Sequence, residues 1–474
     1  MLNNKATNQM KLQRWALTSA LIVSHLTGTH LLADDTADTI DSLKKRIEQL
    51  DQKVSVLERN RELEKDAADT KAKEAPKISL GEKGFAFGSG DGNFTINLQG
   101  LLQFDSRTFF KDGGINGNDG FVLRRARPII SGTVFKDFDF LFVPDFGANT
   151  TLNSAPVIQD AYLNYRYRQE LQLRFGKYKS PVGLELLQSD SLMTFIERAL
   201  PSDLVPNRDL GAELLGDLFD GRVSYAAGIF NGVADQASSG NLDFEDGKEF
   251  VGRIFLQPFK KSRAAALQGL GFGVGGSYGS RFGTAANSGL AGGYTTDGQQ
   301  RFFVYTNGIA AGGTQWRISP QGYYYYGPFG LLGEYVVSSQ EVLKTTAPTA
   351  TAELEHKAWQ IVGSWVLTGE DNTYKGVVPS HPFNPGAGQW GAVQLAARYA
   401  RLDVDSDTFP MFANPATSAQ SAKSWSVGVN WWLNRNVRIS ADFARTTFAG
   451  GAGTGATVTQ QPENVLFTRV QFAF

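Results

Sequence analysis

The stretch 422–446, AKSWSVGVNWWLNRNVRISADFART, decides the fold. Trp425, Val427, Val429 and Trp431 occupy every second position, with Ser424, Ser426 and Asn430 between them. After a tight connection from Leu433 to Asn436 the pattern resumes, and Val437, Ile439, Ala441 and Phe443 alternate with Arg438, Ser440 and Asp442. Successive side chains of a β-strand point to opposite faces, so a period of two gives each strand one apolar and one polar face.

The same alternation starts near Asn93, where Phe94, Ile96, Leu98, Leu102 and Phe104 oppose Thr95, Asn97, Gln99, Gln103 and Asp105. Sixteen such segments run from 94–106 to 464–474, through 121–135, 138–147, 157–167, 170–178, 210–219, 222–230, 248–257, 270–280, 316–326, 330–340, 353–367, 390–403, 422–433 and 436–446. Their connections alternate as well. Lys136-Asp137, Gln169-Glu170 and Leu433 to Asn436 are short, whereas 107–120, 148–156, 179–209, 231–247, 281–315, 341–352, 404–421 and 447–463 are long. Short turns on one side and long loops on the other fit an outer-membrane barrel with both ends in the periplasm. The 22 residues of 368–389 break the rule, standing where a short turn is expected. The final strand sets Leu466, Thr468, Val470, Phe472 and Phe474 on one face, and its terminal aromatic resembles a barrel-assembly signal. The expected fold is all-β, a 16-stranded antiparallel transmembrane β-barrel over 93–474.

What precedes the barrel reads as three pieces. Lys5, Lys11 and Arg14 lead into an apolar run that ends at Ala33, the pattern of a cleaved signal peptide over 1–33. Cleavage there would remove three of 46 basic residues and none of 47 acidic ones, leaving a net charge near −4. Within 34–66, Ile40, Ile47 and Val54 fall seven apart, as do Leu43, Leu50 and Leu57, so a short coiled-coil helix is expected in the periplasm. Residues 67–92 read as a linker.

Composition narrows the chemistry. The 474 residues include no cysteine and four histidines, which excludes disulfides, thiol nucleophiles and Cys metal sites. A net charge of −1 argues against nucleic acid as a partner. His356 and His381 sit beside no convincing serine, so an enzyme is not expected, and no cofactor is implied. If the apolar faces meet lipid, the opposite faces meet water. By parity Arg107, Arg125, Arg127, Arg166, Arg174, Arg253, Arg317, Arg398, Arg438 and Arg469 then point inward. Asp105, Asp139, Asp145, Asp160, Glu249, Glu334 and Asp442 do likewise, leaving a modest cationic excess. In the run Arg124-Arg125-Ala126-Arg127, alternation puts Arg125 and Arg127 on one face and Arg124 on the other. The loop 179–209 mixes Leu184, Leu186, Leu187, Leu192, Met193, Phe195 and Ile196 with Glu185, Asp190, Glu197 and Arg198, too apolar to lie in water, and is expected to fold into the barrel.

The strings FVLRRARPIISGTVFKDFDF, LRFGKYKSPVGLE, TFIERAL, NRDLGAELLG, YAAGIFNG, WGAVQLAARYARLD and WSVGVNWWLNRNVRISADFA resemble the phosphate-selective porin O and P family. The resemblance implies a trimeric sixteen-stranded barrel passing small anions such as phosphate through an arginine-lined constriction. It maps the family's paired arginines onto Arg124 and Arg125, and its Gly-x-x-Lys strand end onto Gly176 and Lys179. The candidate anion pathway is thus Arg107, Arg124, Arg125, Arg127, Arg174, Lys177, Lys179, Arg198, Arg253, Arg317, Arg398 and Arg438. Two other functions fit the same pattern: a non-selective diffusion porin, and a structural envelope barrel tethered by the coiled coil.

Overall fold

The computed structural model describes residues 33–110, 117–148, 157–240, 243, 245–284, 286–452 and 459–474. The expected leader therefore lies, but for Ala33, outside the described residues.

A helix, α1 (Ala33–Glu74), comes first. It runs past the expected end at 66, and every described side chain along it is exposed. The segment read as a linker is structured too: β1 (Lys77–Gly81) and β2 (Gly84–Gly88) form a hairpin. Gly84 makes its turn at φ +92, in the region that favours glycine.

Sixteen strands follow: β3 (Thr95–Phe109), β4 (Gly120–Val134), β5 (Phe138–Asp145), β6 (Val157–Arg168), β7 (Leu171–Lys179), β8 (Arg208–Leu218), β9 (Val223–Phe230) and β10 (Glu249–Leu256). The second half is β11 (Leu270–Phe282), β12 (Ile309–Tyr326), β13 (Phe329–Lys344), β14 (Ala350–Val366), β15 (Ala392–Asp403), β16 (Ala419–Trp432), β17 (Val437–Gly450) and β18 (Glu463–Ala473). Each pairs antiparallel with the next, and β18 returns to β3, matching Val465 with Phe109 and Ala473 with Leu101. All sixteen alternating segments are strands of one closed barrel.

Burial explains the closure. On β3, Gln103 and Asp105 are 0% exposed, while their neighbours Leu102 and Phe104 are each 47% exposed. The apolar face looks outward and the polar face inward, as suits a wall between lipid and lumen. Closure leaves no strand edge unpaired within that wall. The seam is finished by the last residue. The Phe474 ring covers Gly100, where an added Cβ would lie 2.8 Å from it, and Gly100 and Phe474 exchange backbone hydrogen bonds of 3.1 Å. Below Leu101, β3 has no partner in β18. There β2 takes its edge, pairing Phe85 with Leu98 and Gly88 with Thr95.

The irregular connection between β14 and β15 is a folded insert. Asn372–Thr373 pair with Gly376–Val377, and a 3-10 turn spans Pro385–Ala387. This segment carries Tyr374 up into the lumen, where its ring stacks on Tyr323 at 5.1 Å. Long loops enter from the opposite end. Residues 180–207 cross the barrel, and Tyr294–Thr295 pairs with Arg301–Phe303 above them.

Candidate functional site

The crossing loop 180–207 is the centre of the site. Val182, Leu184, Met193, Phe195, Ile196, Leu200 and Leu204 are all buried, which accounts for its apolar composition. Its backbone is tied to the wall by inward-facing polar side chains. Gln321 Nε2 donates to Val182 O at 2.7 Å, Asn430 Nδ2 to Thr194 O at 2.7 Å and Gln471 Nε2 to Ser191 O at 2.9 Å. Arg438 Nη1 donates to Met193 O at 2.8 Å, Arg469 Nη1 to Ile196 O at 2.9 Å and Arg398 Nη1 to Glu197 O at 2.9 Å.

The loop also brings carboxylates into the lumen. Arg124 grips Glu197 with both ends of its fork, Nε to Oε1 at 2.7 Å and Nη2 to Oε2 at 3.1 Å. Arg107 Nη2 donates to the same carboxylate at 3.1 Å. Asp190 is bonded by Arg127 and Arg198, lies 3.5 Å from Arg125 Nε and 3.8 Å from Arg208 Nη2. Arg127 turns its Nε to Asp145 at 2.7 Å, and Arg469 pairs with Asp105 at 2.7 Å. Lys179 Nζ reaches Gln188 O at 2.7 Å. Burial pushes the Asp190 carboxyl up, but Arg125, Arg198 and Lys179 outweigh it and hold the group well below the usual carboxylate range. Glu197 is likewise buried and likewise held down, chiefly by Arg124.

A β-bulge produces this concentration. Gln103 pairs with Arg125 but the next residue, Phe104, pairs with Leu123, so Arg124 is the extra residue. Strict alternation assigned Arg124 to the face opposite Arg125 and Arg127. The bulge corrects that: Leu123 stays outward while Arg124, Arg125 and Arg127 all reach the lumen. Bulges re-aim side chains in just this manner. Farther round the same sheet, Gly176 sits at φ +131, where a Cβ would meet Ala161 O at 2.2 Å. Only glycine lets β7 lie so close to β6 as it leads to Lys179.

Five of the sequence-derived candidates thus gather round Asp190 and Glu197: Arg107, Arg124, Arg125, Arg127 and Arg198, with Lys179 beside them. The others do not touch the carboxylates of Asp190 or Glu197 and are committed to other partners. Arg317 clamps Asp235 at 2.6 Å and bonds Glu249. Arg398 pairs with Asp297 at 2.9 Å. Arg253 bonds Gln321 at 3.0 Å and lies over the Phe255 ring. Arg438 lies over Trp432, and Lys177 Nζ donates to Ser239 O at 2.5 Å. Arg174 stacks between Tyr162 and Tyr178, with centroids 4.6 and 5.3 Å away. Parity placed the five arginines among these inward, but inward is not the same as free. Arg208 was missed; it bonds Asp160 at 3.2 Å, and its signal was its place where the chain leaves the crossing loop. The loop-borne acids Glu185, Asp190, Glu197, Asp203, Asp235 and Asp297 are all buried, so counting wall residues alone overstated the cationic excess of the whole lumen.

Two cavities flank the crossing loop. The one toward the long loops is about 300 Å³ and is lined by Arg124, Glu197, Arg198, Ser202, Asn207 and Arg301, among others. The one toward the short turns is about 570 Å³ and is lined by Arg127, Arg174, Lys179, Asp190 and Arg208, together with tyrosine and aliphatic side chains. Between them, eight cations (Arg107, Arg124, Arg125, Arg127, Lys179, Arg198, Arg208, Arg469) meet five carboxylates (Asp105, Asp145, Asp160, Asp190, Glu197), a local excess of three positive charges.

A family model described as phosphate-selective porin O and P matches residues 95–474. Porin O of Pseudomonas aeruginosa is 26% identical over 386 residues, which cover 75% of this chain and 83% of that protein. Among solved structures, the outer membrane channel DcaP of Acinetobacter baumannii aligns with a TM-score of 0.52 at 10% identity, over 81% of this chain and 98% of that one. That likeness is one of fold.

Proposed function

Because the chain belongs to the phosphate-selective porin O and P family, and is therefore an outer-membrane anion channel, we propose that its anions, phosphate among them, cross at the Arg124–Arg125–Arg127–Arg198–Lys179 cluster. The observation that carries this reading is the excess of three positive charges packed where the lumen is narrowed by the crossing loop. Guanidinium forks suit phosphate and carboxylate geometry. Conduction also requires release. Asp190 and Glu197 already occupy part of each fork, which keeps a visiting anion from binding too tightly. Entry at the long-loop cavity meets Arg124 and Arg198, and exit at the short-turn cavity meets Arg127 and Lys179. In this reading the short-turn end, where both barrel termini lie, faces the periplasm.

The test is a reversal potential in a KCl gradient across a bilayer, with phosphate titrated into the chloride. Reversal toward the chloride potential and block of chloride current by low phosphate are expected. A channel that favours neither ion and ignores phosphate would overturn the reading in favour of a non-selective porin.

One further observation favours an assembly. Ile40, Leu43, Ile47, Leu50, Val54 and Leu57 repeat at heptad spacing on a helix whose described side chains are all exposed. An isolated helix gains little from propensity alone and is stabilised by burying an apolar face. We infer that three copies of α1 wind into a parallel coiled coil in the periplasm and that the protein is a homotrimer.

A further inference from the structure

The wall of the short-turn cavity is apolar where a porin lumen is ordinarily polar. On β3, β4 and β5 the inward positions just below Arg127 and Asp145 are Leu101, Ile129, Leu141 and Val143, all lining that cavity. Their neighbours Leu102 and Phe142 face outward and are exposed, so the alternation has not slipped. The patch is continuous. Leu101 pairs with Arg127, Leu141 pairs with Tyr162 on β6, and the Tyr162 ring meets Tyr178 on β7 edge-on at 5.8 Å. Leu187 and Leu192, on the crossing loop, line the same cavity. A hydrated inorganic anion gains nothing from such walls. An anion with an apolar body gains from both features, because its body leaves water while its charge meets Arg127, Arg174 and Lys179.

Resting on the anion-channel reading, we infer that this cavity is a subsite for organic anions that carry an apolar or aromatic body on a carboxylate. The charged end lies toward Arg127 and Lys179, and the body lies against Leu141, Ile129 and Tyr162. Arg174, stacked on Tyr162 and Tyr178, holds the aromatic end of the wall in place.

Chloride current through the full mature protein is measured in a bilayer while acetate, butyrate or benzoate is added on each side in turn. Butyrate, two methylenes longer than acetate, is expected to half-block at a concentration about fifteenfold lower, since each buried methylene is worth a factor of about four, and benzoate at a concentration lower still. Leu141→Asn is expected to shrink the acetate-to-benzoate ratio of half-block concentrations, a quantity internal to each variant. Equal block by all three probes, with reversal still near the chloride potential, would overturn the subsite alone. A benzoate preference untouched by Leu141→Asn would also overturn it, because the preference would then arise elsewhere. Reversal near the potassium potential would sink the anion channel and the subsite together.

Discussion

Arg198 and Asp190 are bonded to each other across the floor that separates the two cavities: Arg198 lines the long-loop side and Asp190 the short-turn side. Both belong to the crossing loop, so the floor between the cavities is held by the loop's own ion pair as well as by the wall. Asp190 also faces Arg125, Arg127 and Arg208, which makes it the carboxylate on which the cationic cluster converges.

Replacing Asp190 by Asn removes the resident anion and raises the local excess from three positive charges to four. The expected result is a reversal potential closer to that of chloride and block by lower phosphate. Unpairing a buried cluster costs about 3–5 kcal/mol, so a lower heat-denaturation midpoint of the barrel is expected alongside. Unchanged selectivity would place the ion pathway away from Asp190.

Arg127→Ala should act in the opposite direction. Arg127 bridges Asp145 and Asp190, and its loss leaves both carboxylates in the lumen with one cation fewer. A charge-assisted pair to an anion is worth roughly a tenfold change in affinity, so the phosphate needed for half-block should rise by about that factor. Arg317→Lys is the useful contrast, since Arg317 is engaged by Asp235 and Glu249 away from the constriction. It should alter stability and leave phosphate block where it was.

Acidification offers a test without substitution. The folded-state pKa of Asp190 lies below its unfolded value, as does that of Glu197. Each pairing therefore contributes stability above the ordinary carboxylate value, and that contribution is lost only as pH falls through the depressed value. The contribution of Asp190 and Glu197 to selectivity should stay level from neutral pH down to about 4, the ordinary range for a carboxylate. A rise in anion preference near that pH would mean that the carboxylates titrate freely.

Tyr374 reaches the lumen from the short-turn end. Its hydroxyl donates to Leu184 O at 2.6 Å, and Gln188 Nε2 donates to Tyr374 O at 2.7 Å. The insert thus props the crossing loop from beneath, on the side away from the arginine cluster. Tyr374→Ala should loosen that prop and increase single-channel conductance, with anion preference diminished because part of the flow bypasses the cluster. Conductance equal to that of the parent protein would show that the loop stands without it.

Removing 37–66 should leave single-channel conductance intact and weaken the trimer, read as dissociation at lower temperature by gel or light scattering. Loss of pore formation would show instead that the helix is needed for assembly.

Period-two patterning made the barrel legible because the contrast between lipid and water acts on every strand. Leu102 beside Gln103 is readable without knowing what either touches. The constriction was legible only in part. The crossing loop announced itself by leucines among acids, and Arg124 and Arg125 by the family strings. The bulge did not, because Leu123, Arg125 and Arg127 look like one face until the partner strand shows the extra residue. Nor could local pattern tell Arg398 and Arg317, spent on Asp297 and Asp235, from Arg125. Those acids lie on loops far off in sequence, and only the fold brings them home. The hairpin β1–β2 was hidden for a related reason: it is a short, polar-flanked pair whose pairing depends on a free edge elsewhere.

That edge has its own meaning. A sheet rolled into a tube with a slanted seam leaves a ledge where the first strand begins before the last one arrives, and on β3 the ledge runs from Thr95 to Leu98. Bare peptide groups there would be an invitation to any passing strand, including one from a half-made neighbour. The hairpin works as a selvedge does on cloth: it is woven from the same thread and moves the raw border away from the seam sealed by Phe474, onto the five-residue strand β1.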